Sequence, residues 1–76
     1  MTEHPGKVQY VDGLTGKVVH VADAADVDDA IRFAPGADGT VHPVTRIVIT
    51  TVGDQREVRQ VGADGTLLRT TFQRVA

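Results

Sequence analysis

Eight of the nine residues in Val44–Val52, "VTRIVITTV", are β-branched. Such side chains are stiff at χ1 and suit a pleated strand better than a helix. Apolar residues fall on both alternating faces, the pattern of a central strand. Gly53-Asp54 follows directly, and glycine is favoured at the first position of a type II′ two-residue loop. The chain is therefore expected to turn back at once. Pairing then sets Val52 opposite Gln55, Thr50 opposite Glu57, Ile49 opposite Val58, Val48 opposite Arg59 and Ile47 opposite Gln60.

The pentapeptide GADGT occurs twice, at Gly36–Thr40 and Gly62–Thr66. In the second copy, Ala63-Asp64-Gly65 reads as a three-residue hairpin loop, with Gly65 supplying a left-handed residue after a type I turn. That register pairs Gln60 with Leu68, Val58 with Thr70 and Arg56 with Phe72. It gathers Ile47, Ile49, Val58, Leu68 and Phe72 on one face. A four-residue loop, with Leu68 opposite Arg59 and Phe72 opposite Gln55, would scatter them, so the burial pattern favours three residues. The first copy reads differently, as a helix exit with Gly36 at the C′ position. Pro43 then makes Thr40–His42 an edge or a bulge.

In the N-terminal half, Lys7–Val11 and Lys17–Ala22 are β-branched runs joined by a glycine-containing hairpin loop. In "DAADVDDAIRFAPG", Val27, Ala30, Ile31 and Ala34 follow the i, i+3, i+4, i+7 stripe of a helix of about three turns. Asp23 or Asp26 would be its N-cap, and Pro35-Gly36 would end it. Residues 1–6 read as an extended tail and 7–76 as one small domain. The order is ββαβββ: a two-layer α+β domain with a mostly antiparallel sheet and one helix on one face. Hairpin, helix and strands in that order fit a β-grasp-like wiring.

Composition excludes several classes of function. The 76 residues contain no cysteine, which removes disulfides and thiolate metal sites. No run of about 18 apolar residues can span a membrane, and the N-terminus lacks the apolar stretch of a signal peptide. A cytoplasmic setting is expected. Serine, asparagine and tryptophan are also missing, and six arginines outnumber two lysines, a bias resembling the products of GC-rich bacterial genomes. Net charge is −2, divided between −4 in residues 1–38 and +2 in residues 39–76. That dipolar distribution suits a partner-binding surface.

Candidate chemistry is sparse. A calcium loop needs several oxygens at alternating positions, whereas each GADGT supplies one aspartate in an Asx-type turn. A phosphate cradle needs a glycine loop entering a helix, and here neither copy does so. His4, His20 and His42 match no metal-site spacing. Thr50-Thr51 and Thr70-Thr71 read as strand formers rather than nucleophiles. Glu57 with Arg59, or His20 with an aspartate, could serve as acid–base pairs only in an enclosed pocket, which a core this small rarely forms. No catalytic residue, metal or cofactor is assigned, and the chain is read as a non-enzyme.

The remaining feature is the sheet face opposite the helix. The expected register places Arg46, Val48, Thr50, Arg59, Val61, Leu67, Arg69 and Thr71 there, with Arg59 facing Arg69. Aliphatic residues ringed by arginine suit a protein partner, with a two-fold homodimer the simplest case. A nucleic-acid surface using Arg46, Arg59, Arg69 and Arg74 is the alternative. It lacks lysines, stacking aromatics and net positive charge. A small molecule held between helix and sheet is a third reading.

Overall fold

The computed structural model describes residues 6–75, so most of the expected tail, 1–5, lies outside the described residues. Gly6 is tied down: its carbonyl accepts from the Ala24 N–H at 3.1 Å. The elements are β1 (Lys7–Asp12), β2 (Val18–Asp23), a 3-10 turn (Ala24–Asp26), α1 (Asp29–Arg32), β3 (Phe33–Pro35), β4 (Val41–Val52), β5 (Gln55–Gly62) and β6 (Leu67–Arg74). They make a small α+β domain with one mixed sheet, ordered β2-β1-β4-β5-β6, and β3 pairs with β4 off that path. No helix among the described residues is long and apolar enough to cross a membrane.

β4 is central, as its two apolar faces require, with β1 on one side and β5 on the other. Its pairing with β5 from Val52↔Gln55 through Ile47↔Gln60 follows the register implied by the Gly53-Asp54 loop. Beyond Ile47, one extra β4 residue, Thr45, bulges out between the pairs Arg46↔Val61 and Val44↔Gly62. The bulge is therefore at Thr45 rather than at Thr40–His42, where Val41 and His42 pair with β3 alone, the edge alternative that Pro43 offered. Val41 and His42 belong to β4, and Pro43 pairs with Phe33. β1 and β4 run parallel, Tyr10 beside Ile47 and Val11 beside Val48. The connection between these parallel strands passes through β2, the 3-10 turn, α1 and β3.

The expected three-turn helix is not formed. α1 is a single turn, capped by Asp28, whose Oδ1 accepts from the Ala30 N–H at 3.0 Å. Neither Asp23 nor Asp26 caps it; Asp23 precedes the 3-10 turn without a capping bond, its carboxylate accepting from Lys7 instead. Two local causes end the helix early. Pro35 disfavours helical backbone at Ala34. The first GADGT then acts as a hairpin loop and draws Phe33–Pro35 into antiparallel pairing with Val41–Pro43. The apolar stripe still marks burial, because Val27 and Ala34 are core residues, but they reach the core from the extended residue after the 3-10 turn and from β3.

Both copies of GADGT therefore make the same loop. In each, the first glycine's N–H donates to the threonine carbonyl at 2.9 Å, and the second glycine's N–H donates to the first glycine's carbonyl at 3.0 Å. The aspartate Oδ1 accepts from the threonine N–H, at 2.9 Å in Asp38–Thr40 and 3.0 Å in Asp64–Thr66. Gly39 and Gly65 have φ of 80° and 85°, the left-handed region that the three-residue loop demands. Gly36 has no positive φ and is not a left-handed helix terminator.

The register of β6 also departs from expectation. The three-residue loop does pair Val61 with Leu67, but one extra residue, Leu68, then bulges out. Every later pair shifts by one: Gln60↔Arg69, Arg59↔Thr70, Val58↔Thr71, Glu57↔Phe72 and Arg56↔Gln73. Phe72 moves from the helix side to the opposite face. Arg69, Thr71 and Gln73 turn toward the helix. The expected Arg59–Arg69 confrontation does not occur.

The core is Val8, Ala24, Val27, Ala34, Val44 and Ile47, with Tyr10, Ala22, Ile49, Val58 and Leu68 packed partly against it. Because α1 is so short, the crossing segment covers only one end of the sheet's inner face. Tyr10, Ile49 and Val58 at the other end are only half-buried. The molecule is accordingly long, 46 × 28 × 20 Å with a radius of gyration of 12.7 Å. A spherical domain of this length would have about 11 Å.

Candidate functional site

The outer sheet face is built by cross-strand neighbours, since paired residues point the same way. One row runs Val21, Gln9, Arg46, Val61 and Leu67 across β2, β1, β4, β5 and β6. The next runs Val18, Val11, Val48, Arg59 and Thr70. A third holds Thr50, Glu57 and Phe72, and a fourth Val52, Gln55 and Arg74. Val11 is buried yet lies outside the core cluster, which places a small second apolar centre on this face beside Val48. Around that centre, Val18, Val21, Val52 and Leu67 are exposed, and Phe72 is 69% exposed.

Six of the eight residues expected on this face are on it: Arg46, Val48, Thr50, Arg59, Val61 and Leu67. Arg69 and Thr71 are not. The Arg69 guanidinium reaches under the sheet, donating to Gln60 Oε1 at 2.7 Å and to the Ala30 carbonyl at 3.0 Å. Thr70 and Phe72 take their places, and both were missed. The signal that could have found them was the like-charge contact of the regular register. Arg59 directly opposite Arg69 is unfavourable, and a bulge at Leu68 removes it by setting Thr70 across from Arg59.

The charges on this face are largely satisfied within the chain. Arg59 Nη2 lies 3.2 Å from Glu57 Oε1, and Arg74 Nε lies 3.8 Å from Asp54 Oδ2. Arg46 is in none of the ion pairs found among the described residues. Both arginine pairs are exposed and add little stability. Their effect is to leave an apolar face that is only weakly cationic.

A second concavity, about 430 Å³, lies where the two GADGT loops meet, lined by Gly36–Asp38, His42, Pro43, Gly62–Asp64, Thr66 and Leu68. His42 Nε2 is 3.4 Å from Asp38 Oδ1. The Thr40 backbone N–H holds the Asp38 carboxyl below its ordinary range, with His42 adding to the effect. The Thr66 N–H does the same for Asp64. No group of three histidines or carboxylates among the described residues is placed to hold a metal ion. The aspartates are already committed to their turns. His20 lies elsewhere, its ring centroid 5.6 Å from that of Tyr10, and His4 is outside the described residues.

No protein-family model matches the chain, and none of the curated proteins or solved structures compared with it matches either.

Proposed function

We propose that the chain is a small non-catalytic binding module that contacts protein through its outer sheet face, with a second copy as the simplest partner. One observation carries this reading: Phe72, the largest apolar side chain on that face, is 69% exposed between Thr70 and Arg74 of β6, on a surface that also exposes Val18, Val21, Val52 and Leu67 and has no helix over it. Aromatic and arginine side chains are enriched at interfaces, and here they share the face with its aliphatic residues, Arg46, Arg59, Gln55 and Thr70 being interleaved among them. A standard interface needs about 800 Å² per partner, which fits within the 46 × 28 Å outline.

The nucleic-acid reading loses support. Of its four arginines, Arg69 is bound beneath the sheet and Arg59 and Arg74 face carboxylates. A β-grasp-like wiring is supported by the hairpin–helix–strand order and the parallel β1–β4 pair. The cytoplasmic bacterial setting rests on composition alone.

Sedimentation velocity at high protein concentration, paired with affinity capture, tests the proposal using wild type and a Leu67→Glu, Phe72→Lys variant, the lysine facing Glu57. The wild type is expected to self-associate or retain a protein partner that the variant loses. The variant's unfolding free energy should stay within about 0.5 kcal/mol of wild type, because both sites are exposed. A strictly monomeric wild type that captures nothing, or a variant that behaves as wild type does, refutes the proposal.

A further inference from the structure

The uncovered end of the inner sheet face is a cleft of about 310 Å³ between α1 and the sheet. Its floor is Tyr10, Ile47, Ile49 and Val58, and its α1 side is Ala30 and Ile31. Its β5–β6 wall carries Arg56, Gln60, Arg69, Thr71 and Gln73. The volume is at the small end of the range for ligand pockets, and an apolar floor with a few convergent polar groups is their usual construction.

The electrostatics of the wall are one-sided. Arg56 and Arg69 are in none of the ion pairs found among the described residues. Arg69 is fixed by its bonds to Gln60 and the Ala30 carbonyl, both uncharged acceptors, so its positive charge stays uncompensated. Gln60 is itself buried and completes this bracket by donating to the Ile31 carbonyl at 2.7 Å. Arg56 goes further: its Nε is shielded from solvent and has no hydrogen-bond partner. A buried donor without an acceptor is costly, and a guanidinium is best satisfied by a carboxylate. Glu57, next to Arg56 in β5, points to the opposite face and pairs with Arg59, while Asp12, paired with Ile49 on the β1 side, accepts from the Leu14 N–H through its Oδ1.

We infer that this cleft binds a small organic carboxylate with an apolar body, the carboxylate on Arg56 and the hydrocarbon along Ile49 and Val58. The site is independent of the outer face, since the two lie on opposite sides of the sheet. An apolar body gains by covering half-buried side chains that α1 leaves open. The carboxylate supplies the charge partner that Arg56 lacks, and the charge of Arg69 adds to its attraction.

Octanoate and its uncharged isostere octanamide, titrated into the intact protein and followed by two-dimensional NMR, test the inference without any mutation. Saturable shifts confined to Tyr10, Ile49, Val58 and Arg56 are expected with octanoate, and about tenfold or weaker affinity with octanamide. Arg56→Gln should cost octanoate a similar factor, and Arg56→Lys less. Equal affinity for the two ligands, shifts on the outer face instead, or no saturable binding at millimolar octanoate each overturns it.

Discussion

Ile47 and Ile49 sit two residues apart on the same face of β4, so a continuous helical cover would bury them alike. The structure buries Ile47 to 1% exposure and leaves Ile49 half-buried on the cleft floor. Replacing each by alanine should therefore give unequal losses. Ile47→Ala removes fully buried methyl groups and leaves a void enclosed by Val8, Val44 and their neighbours, which costs about 2–5 kcal/mol. Ile49→Ala forfeits only part of an isoleucine's transfer energy and leaves no closed void, because water already reaches the cleft; about 1–2 kcal/mol follows. Total stability for a chain of this length is about 4–11 kcal/mol, so the first change removes a large share and the second a modest one. Urea unfolding followed by circular dichroism measures both. Equal losses, or a larger loss at Ile49, would refute the claim that α1 covers only one end of the sheet.

The two GADGT loops should respond alike to a shared substitution. Gly39→Ala and Gly65→Ala each force a side chain into left-handed backbone and should each cost about 1–2 kcal/mol by urea unfolding; a loss at Gly65 alone would contradict the equivalence. Acid stability should depend on the loop aspartates. Asp38 and Asp64 have depressed folded values, so their contribution is fully present above the unfolded value of about 4 and is lost as pH falls through the lower folded ones. Asp38→Asn with Asp64→Asn should therefore flatten the decline of the thermal midpoint below about pH 5, and an unchanged acid limb would argue against it.

Much of the fold was legible because its determinants are local. Gly53-Asp54 sets the register of β4 and β5 within a handful of residues, and the structure follows it from Val52 to Ile47. The second GADGT encodes its three-residue loop as directly, through Gly65 and the Asp64–Thr66 bond. The same chemistry was present in the first copy. Reading it as a helix exit gave an apolar stripe priority over a turn signal identical in every residue. The candidate face was legible in six positions and illegible in two, because alternation fails wherever a bulge inserts a residue.

The sequence alone determined the turns, the central strand and the pairing across Gly53-Asp54, since each rests on backbone conformation and on contacts between near neighbours. Only the tertiary structure decided the parallel placement of β1 beside β4, the truncation of the helix and the side on which β6 displays each residue. The bulge at Leu68 shows why. It lets Arg69 reach Gln60 and the Ala30 carbonyl, a contact spanning 39 positions in the chain, and at the same stroke turns Phe72 out to solvent. No local preference of "TLLRTTF" contains that choice. It exists only once the short helix and the sheet are stacked, which brings the Ala30 carbonyl and Gln60 within reach of Arg69.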